Sequence, residues 1–233
     1  QWSSSAASDV YKRQLLDVLR SVDTPTVCNA IEAAQGKRGF NNFTKVTMIA
    51  SAPEEKSVVG YALTAKIAAT SAPKEPAESV KERRMAYYKY MAEGQRPSVA
   101  IIEDSDFPNC VGAFWGEINT TVHKGFGVSG VVTNGVVRDL GDLPTGFPVI
   151  AGSIGPSHAF VHVKEFGKPV SVFGLAVEEG DLVHADRHGA LVIPSLVIPS
   201  LKHAIEKLIA TERLVLDPAR KPDFDFDAFA EAW

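Results

Sequence analysis

Gly130-Val-Val-Thr-Asn-Gly-Val-Val-Arg-Asp-Leu140 runs apolar, turns, runs apolar again and then presents two opposite charges. Val131 and Val132 read as a short buried strand, Asn134-Gly135 as a turn dipeptide, and Val136-Val137 as the resumed strand. Adjacent residues on extended backbone point to opposite faces, so Arg138 and Asp139 need not be a simple ion pair. From a loop both can serve one ligand, Arg through its planar fork and Asp as a hard oxygen for a divalent cation. The plainer reading of this segment alone is a surface Arg and Asp closing a strand.

On either side the same short-strand pattern recurs. Lys45 to Ala50, Val58 to Ala69, Ser98 to Ile102, Pro148 to Ala151, Val170 to Leu175, Asp181 to His184 and Ala190 to Ile193 are predicted strands. Asp23 followed by Thr24-Pro25 predicts a helix through Glu32. Pro73 to Gly94 predicts an amphipathic helix with Val80, Met85, Tyr88 and Met91 on its apolar side and its charge run on a solvated face. Further helices are expected from Glu117 to Lys124 and from Lys202 to Arg213. Many short strands, with helices mostly in the first half, indicate a layered mixed α/β domain in place of a regular doubly wound sheet.

The chain has 233 residues, 45% of them hydrophobic and 22% charged, with a formal net charge of −4. That length suits one domain with extensions, and the charge balance argues against a nucleic-acid partner, whose footprint is a basic surplus. Apolar runs are broken too early for a membrane span, so a soluble protein is expected, and the two lone cysteines point to a reducing cytoplasm. Cys28 and Cys110 are too few and too far apart for a disulfide framework or a zinc site. Residues 1–14, QWSSSAASDVYKRQ, lack the pattern of a signal peptide and resemble translated adapter sequence. The expected organisation is therefore a non-native segment over 1–14, one domain over 15–216 and a tail over 217–233, packed or intersubunit. Asp223-Phe-Asp-Phe-Asp227 in that tail imitates the start of a calcium loop but lacks the glycine and the distal Glu.

Two more segments bear on function: Gly112-Ala-Phe-Trp-Gly-Glu117, and Gly180-Asp-Leu-Val-His-Ala-Asp-Arg-His-Gly-Ala-Leu-Val-Ile-Pro194. Together with Gly130 to Leu140, in this order and spacing, they resemble the RraA-like family from about Asp23 to Pro194. That family contains ribonuclease E activity regulators and class II 4-hydroxy-4-methyl-2-oxoglutarate / 4-carboxy-4-hydroxy-2-oxoadipate aldolases. The resemblance implies a three-layer β/β/α sandwich of the swivelling-domain type, and homotrimers or hexamers with sites at subunit boundaries.

Retro-aldol cleavage of a 2-oxo acid needs a cation on the α-keto acid, and Mg²⁺ needs only one or two protein carboxylates. In the resemblance, Asp139 matches the metal aspartate for Mg²⁺ or Mn²⁺, Glu117 an acid acting through water, and Arg138 the arginine on the keto oxygen. Gly112, Ala113, Phe114, Trp115 and Gly116 match the turn whose backbone holds the pyruvate carboxylate. The structural alternative is a tight strand-to-helix turn with no ligand. No side chain identifies itself as the base, and a metal-activated water is the default.

Asp139 resembles the aldolase branch; the regulator branch, acting on a ribonuclease by protein binding, is the alternative. Asn134 stands where Asp is common, His188 where an acidic or Asn residue is usual, and Ser157 to His162 replaces an Arg-Gly turn. His158 is accordingly the residue to test for substrate contact. The pairs His158/His162 and His184/His188 have helical ligand spacing, but both segments read as strand or turn.

Overall fold

The computed structural model describes residues 4–233, with side chains from Ser8 onward. In chain order the elements are α1 (Ser4–Ser21), α2 (Thr24–Gln35), β1 (Ile49–Ala50), β2 (Val58–Ala68), α3 (Ala77–Glu93), β3 (Ser98–Asp104), β4 (Ala113–Trp115) and α4 (Glu117–Gly125). They continue as β5 (Val128–Thr133), β6 (Val136–Val137), β7 (Val149–Ala151), β8 (Ser153–Ile154), β9 (His162–Phe166), β10 (Val170–Val172), β11 (Leu175–Val177), β12 (Leu182–Asp186), β13 (Gly189–Val192), α5 (Ile198–Ala219) and α6 (Phe226–Ala232).

The main sheet has the order β1-β7-β5-β3-β2-β12-β13. Its centre is parallel, β2 with β3, β3 with β5 and β5 with β7, and its edges are antiparallel. β2 is long enough to pair with β12 through its first half and with β9 through its second. The period-2 alternation of a strand sorts its side chains between two cores. Val58 and Ala62 join Val99, Ile101 and Val132 under the β10–β11 hairpin. On the opposite face Leu63, Ala65 and Ile67 meet Ala100, Ile102, Tyr87 and Met91. Val59 lies on that same face and packs with Leu19, Val27, Ile31 and Leu201 of α1, α2 and α5. Helices thus cover one side of the sheet and a small hairpin the other, which is the expected β/β/α layering. A second, three-stranded parallel sheet, β4-β6-β8, stands apart and carries the residues of interest.

Local chemistry explains several boundaries. Asp23 accepts from the Thr26 N–H at 2.9 Å and Gly36 closes α2 in the left-handed conformation. The expected strand Val170 to Leu175 is instead a hairpin, because Phe173 and Gly174 both take positive φ, 47° and 79°. Lys45 to Ala50 contributes only Ile49–Ala50 as strand. In α3, Tyr87 and Met91 are buried at i, i+4 while Met85 is exposed, so the apolar stripe runs through Tyr87 where Met85 was expected.

Residues 1–3 lie outside the described residues, but α1 runs unbroken from Ser4 and sets Leu15, Leu16 and Leu19 into the core. The Tyr11 hydroxyl donates to the Ile198 carbonyl at 2.7 Å, tying this helix to α5. At the other end α5 runs on to Ala219, three residues past the expected boundary at 216. Among the described residues no helix is long and apolar enough to cross a membrane.

Candidate functional site

Parallel pairing brings the exits of β4, β6 and β8 to one edge. Trp115 leads there into Gly116 and α4, Val137 into Arg138-Asp139, and Ile154 into Gly155. Such strand exits are where parallel sheets present ligand-binding loops. The Arg138 N–H donates to the Trp115 carbonyl at 2.8 Å, holding the two loops together.

Asp139 has φ 57°, a left-handed conformation that Asp tolerates better than most residues. This bend overrides the extended-chain expectation that the two charges part. The Arg138 Nε lies 3.5 Å from the Asp139 Oδ2, with side-chain exposures of 31% and 36%. The Glu117 N–H also donates to Asp139 Oδ2, at 3.1 Å. Asp139 therefore caps α4 from outside the helix, where Gly116 offers no side chain to do so. Gly116 is glycine for a reason of space: a Cβ there would lie 2.5 Å from Asp139 Oδ2 and 2.9 Å from Arg138 Nε.

Both contacts fall on one carboxylate oxygen, leaving Oδ1 available to a cation. Among the described residues no cluster of three or more His, Cys, Asp or Glu is placed to hold a metal. One half-exposed carboxylate with Glu117 beside it fits a hard ion that keeps most of its water, and does not fit a zinc shell built from side chains. The Arg138 Nε is buried without a hydrogen-bond partner, a donor held in reserve beside that carboxylate.

The expected Gly112 to Gly116 turn is a strand. Ala113, Phe114 and Trp115 are buried, and Phe114 and Trp115 pack into the core beside Tyr87 and Phe147. The free N–H groups come one step later. The start of α4 leaves Ile118 and Asn119 without intrahelical acceptors for their N–H groups, while Thr120 already donates to Gly116 at 3.0 Å. The Ile118 and Asn119 N–H groups do not stand out in the sequence because a backbone group leaves no side-chain signature; the signal available was a glycine immediately before an amphipathic helix. Asn119 also ties its surroundings together, donating to the Phe114 carbonyl and accepting from the Tyr88 hydroxyl at 2.6 Å.

His158 and Gly112 meet at the other end of β4. A Cβ on Gly112 would lie 2.2 Å from the Ala69 Cβ and 2.7 Å from the His158 carbonyl. The Ser157 carbonyl accepts from the Ala113 N–H, and the His158 imidazole donates from Nδ1 to Ala159. Four strand steps, roughly 13 Å, separate Gly112 from Gly116. The site residues thus form two groups, Gly116/Glu117/Arg138/Asp139 and Gly112/His158.

Three further histidines have structural partners. His123 and His184 are buried, and His188 bonds Asp186. His123 donates through Nδ1 to the Asn119 carbonyl and accepts the Tyr87 hydroxyl at Nε2 (2.7 Å), and burial pushes its pKa down to about 4. His184 sits between the Thr24 hydroxyl and the Leu19 carbonyl, its pKa also lowered by burial. Burial, followed by the neighbouring Asp104 carboxyl, pushes the Cys110 thiol up to about 12, which removes the thiolate a reactive cysteine requires.

Comparison with known proteins bears on this arrangement. Residues 24–192 match the model of the RraA-like family, Aldolase/RraA. An uncharacterized protein of Methanocaldococcus jannaschii is 24% identical over 202 residues, covering 86% of each chain. A Halalkalibacterium halodurans protein provisionally named as a 4-hydroxy-4-methyl-2-oxoglutarate aldolase is 25% identical over 177 residues, 75% of this chain and 74% of its own. Among solved structures, Streptomyces coelicolor RraAS2, described as an unusual member of the RNase ES inhibitor RraA family, superposes with a TM-score of 0.63 at 21% identity, covering 89% of this chain and 96% of its own.

Proposed function

This chain belongs to the RraA-like family, and on that premise we propose that it is a divalent-metal-dependent lyase of the cytoplasm. It cleaves a 4-hydroxy-2-oxo dicarboxylic acid by retro-aldol reaction to pyruvate and a second oxo acid, with oxaloacetate decarboxylation as a side activity. The observation that carries this reading is the convergence of Arg138 and Asp139 on the open start of α4.

Asp139 would hold Mg²⁺ or Mn²⁺ directly, with Glu117 acting through water. The ion, when bound, polarises the 2-oxo group as negative charge develops on it. The rest falls to the chain itself. Arg138, its side chain 31% exposed, stabilises the keto oxygen through the outer N–H groups of its guanidinium as the enolate of pyruvate forms. The Ile118 and Asn119 N–H groups, at the positive end of α4, take the pyruvate carboxylate. Gly116 keeps the space between these groups clear. His158, at the far end of β4, is left for the distal half of a longer substrate.

The surface around the site supports its completion by a second copy in a trimer or hexamer. Ile118, 74% exposed, follows Glu117; exposed Leu140 follows Asp139; exposed Ile154 pairs with Val137. Apolar side chains flanking a polar site in this way suit a subunit boundary.

The test is pyruvate release from oxaloacetate and from 4-hydroxy-4-methyl-2-oxoglutarate, with Mg²⁺ and with chelator. Metal-dependent release is expected from at least one of them. Silence on both, with the protein folded and the metal present, would overturn the lyase reading and turn attention to ribonuclease binding.

A further inference from the structure

The outer half of α5 and the segment after it form a surface that the lyase reading does not use. An open groove of about 1260 Å³ lies between the end of α2 and α5, lined by Lys37, Arg38, Leu208, Leu214 and Leu216 and, from the chain's own end, by Ala232 and Trp233. Among the described residues the ion pairs leave Lys37 and Arg38 out. Of the two acids in the groove, Glu32 is engaged by the Gly39 and Phe40 N–H groups, at 2.8 and 3.1 Å, and only Glu212 offsets the basic pair.

The segment 222–233, Pro-Asp-Phe-Asp-Phe-Asp-Ala-Phe-Ala-Glu-Ala-Trp, has the complementary character. It carries Asp223, Asp225, Asp227 and Glu231 with no Lys or Arg. Asp225 caps α6 by accepting from the Ala228 N–H. Phe226, Phe229 and Trp233 stack in sequence along the helix, with centroids 6.4 and 5.5 Å apart. Yet α6 has seven residues and none of them is buried, and Phe226 and Trp233 are 76% and 87% exposed. A helix so short has no independent stability in water, and its aromatic ladder gains little from the contacts it makes within the chain.

We propose that this groove is a docking surface between two copies of the chain, each seating the acidic, aromatic 222–233 segment of the other. The arrangement is isologous: the segment's own Ala232 and Trp233 form part of the groove wall, so groove and segment share one face and a two-fold axis can pair each with its counterpart. Phe226 and Trp233 fill the leucine-lined floor, and Asp223, Asp227 and Glu231 meet Lys37 and Arg38. The contact is separate from any boundary at the α4 site.

A charge exchange on the full chain tests this, read by light scattering or sedimentation with circular dichroism to confirm folding. Lys37→Glu/Arg38→Glu should halve the particle mass at a concentration where the parent is associated, as should Asp223→Lys/Asp227→Lys/Glu231→Lys. A mixture of the two proteins, or their combination in one chain, should restore the mass. Trp233→Ala should weaken association by roughly tenfold or more, as removal of a buried aromatic anchor does. If either charge variant keeps the parent mass, or if both lose it and the combination does not restore it, the proposal is overturned and the segment serves only its own chain.

Discussion

At its first residue α4 meets Asp139 and solvent, whereas two turns later its His123 is walled by Trp115, Tyr87, Tyr88 and Phe126. The two ends treat their ionisable side chains in opposite ways. At the start, N–H groups are left without intrahelical acceptors, and the Arg138 Nε lies buried and unpaired 3.5 Å from Asp139 Oδ2. At the buried end, both imidazole nitrogens are satisfied, and the ring lies 4.7 Å from that of Trp115. Trp115 belongs to both regions: its side chain packs on His123 while its carbonyl holds Arg138. The rigid end therefore fixes where the open end points, which is the division of labour a preorganised site needs.

The sharpest break is at Asp139. Asp139→Asn keeps an acceptor for the Glu117 N–H and a side chain that tolerates positive φ, but loses the charge. It should leave the melting temperature within a degree or two and reduce metal-dependent pyruvate release on the order of 100- to 1,000-fold. Asp139→Ala should lose the activity and, with the cap gone, about 1 kcal/mol of stability as well. Full activity in either variant would remove Asp139 from the chemistry.

His123 tests the opposite end. Its pKa is lowered from 6.5 to about 4 by burial, so the unfolded chain takes up a proton first as pH falls. Its contribution to stability is complete above pH 6.5 and is lost as pH falls toward 4, by roughly 3 kcal/mol for that shift. His184 acts in the same direction, so the comparison must be with a variant. Urea unfolding of the parent and of His123→Phe at pH 7 and pH 4.5 should show a smaller acid loss in the variant. Equal losses would mean that His123 is not the buried neutral ring described here.

Gly116→Ala joins the two ends. The added Cβ meets Asp139 and Arg138 side chains, which can move, and no backbone, so the fold should survive at a cost of about 1–2 kcal/mol. The pair it displaces cannot keep its geometry, and kcat/KM should fall by tens of fold with little change in circular dichroism. A variant that lost stability and kept kcat/KM would show that the close approach matters only to packing.

What was legible in the sequence follows the same division. The Asn134-Gly135 turn, the valine pairs and the Arg138-Asp139 exit are local patterns, and the structure reproduces the turn and strands where the residues place them. The α2 cap was equally plain in Asp23 and Pro25. Strand β4 was not, because Ala113 to Trp115 is extended through its pairing with β6, a contact across more than twenty positions. The β10–β11 hairpin hid behind Phe173, a residue that rarely takes positive φ and does so here beside Gly174. Convergence of Arg138 and Asp139 depends on one backbone angle at Asp139, which no spacing rule contains.

The smallest expected effect belongs to His158. Its carbonyl packs on Gly112 and its Nδ1 is engaged by Ala159, so only Nε2 is left to meet a substrate. It lies at the far end of β4 from Asp139, and the proposed pyruvate half of the substrate does not reach it. His158→Ala should therefore leave kcat on oxaloacetate unchanged and raise KM a few-fold for a longer 4-hydroxy-2-oxo dicarboxylate, the signature of lost uniform binding. An equal rise for both substrates would place His158 in the folding of the Gly112 end, and a fall in kcat for oxaloacetate would join the two groups of residues into one site.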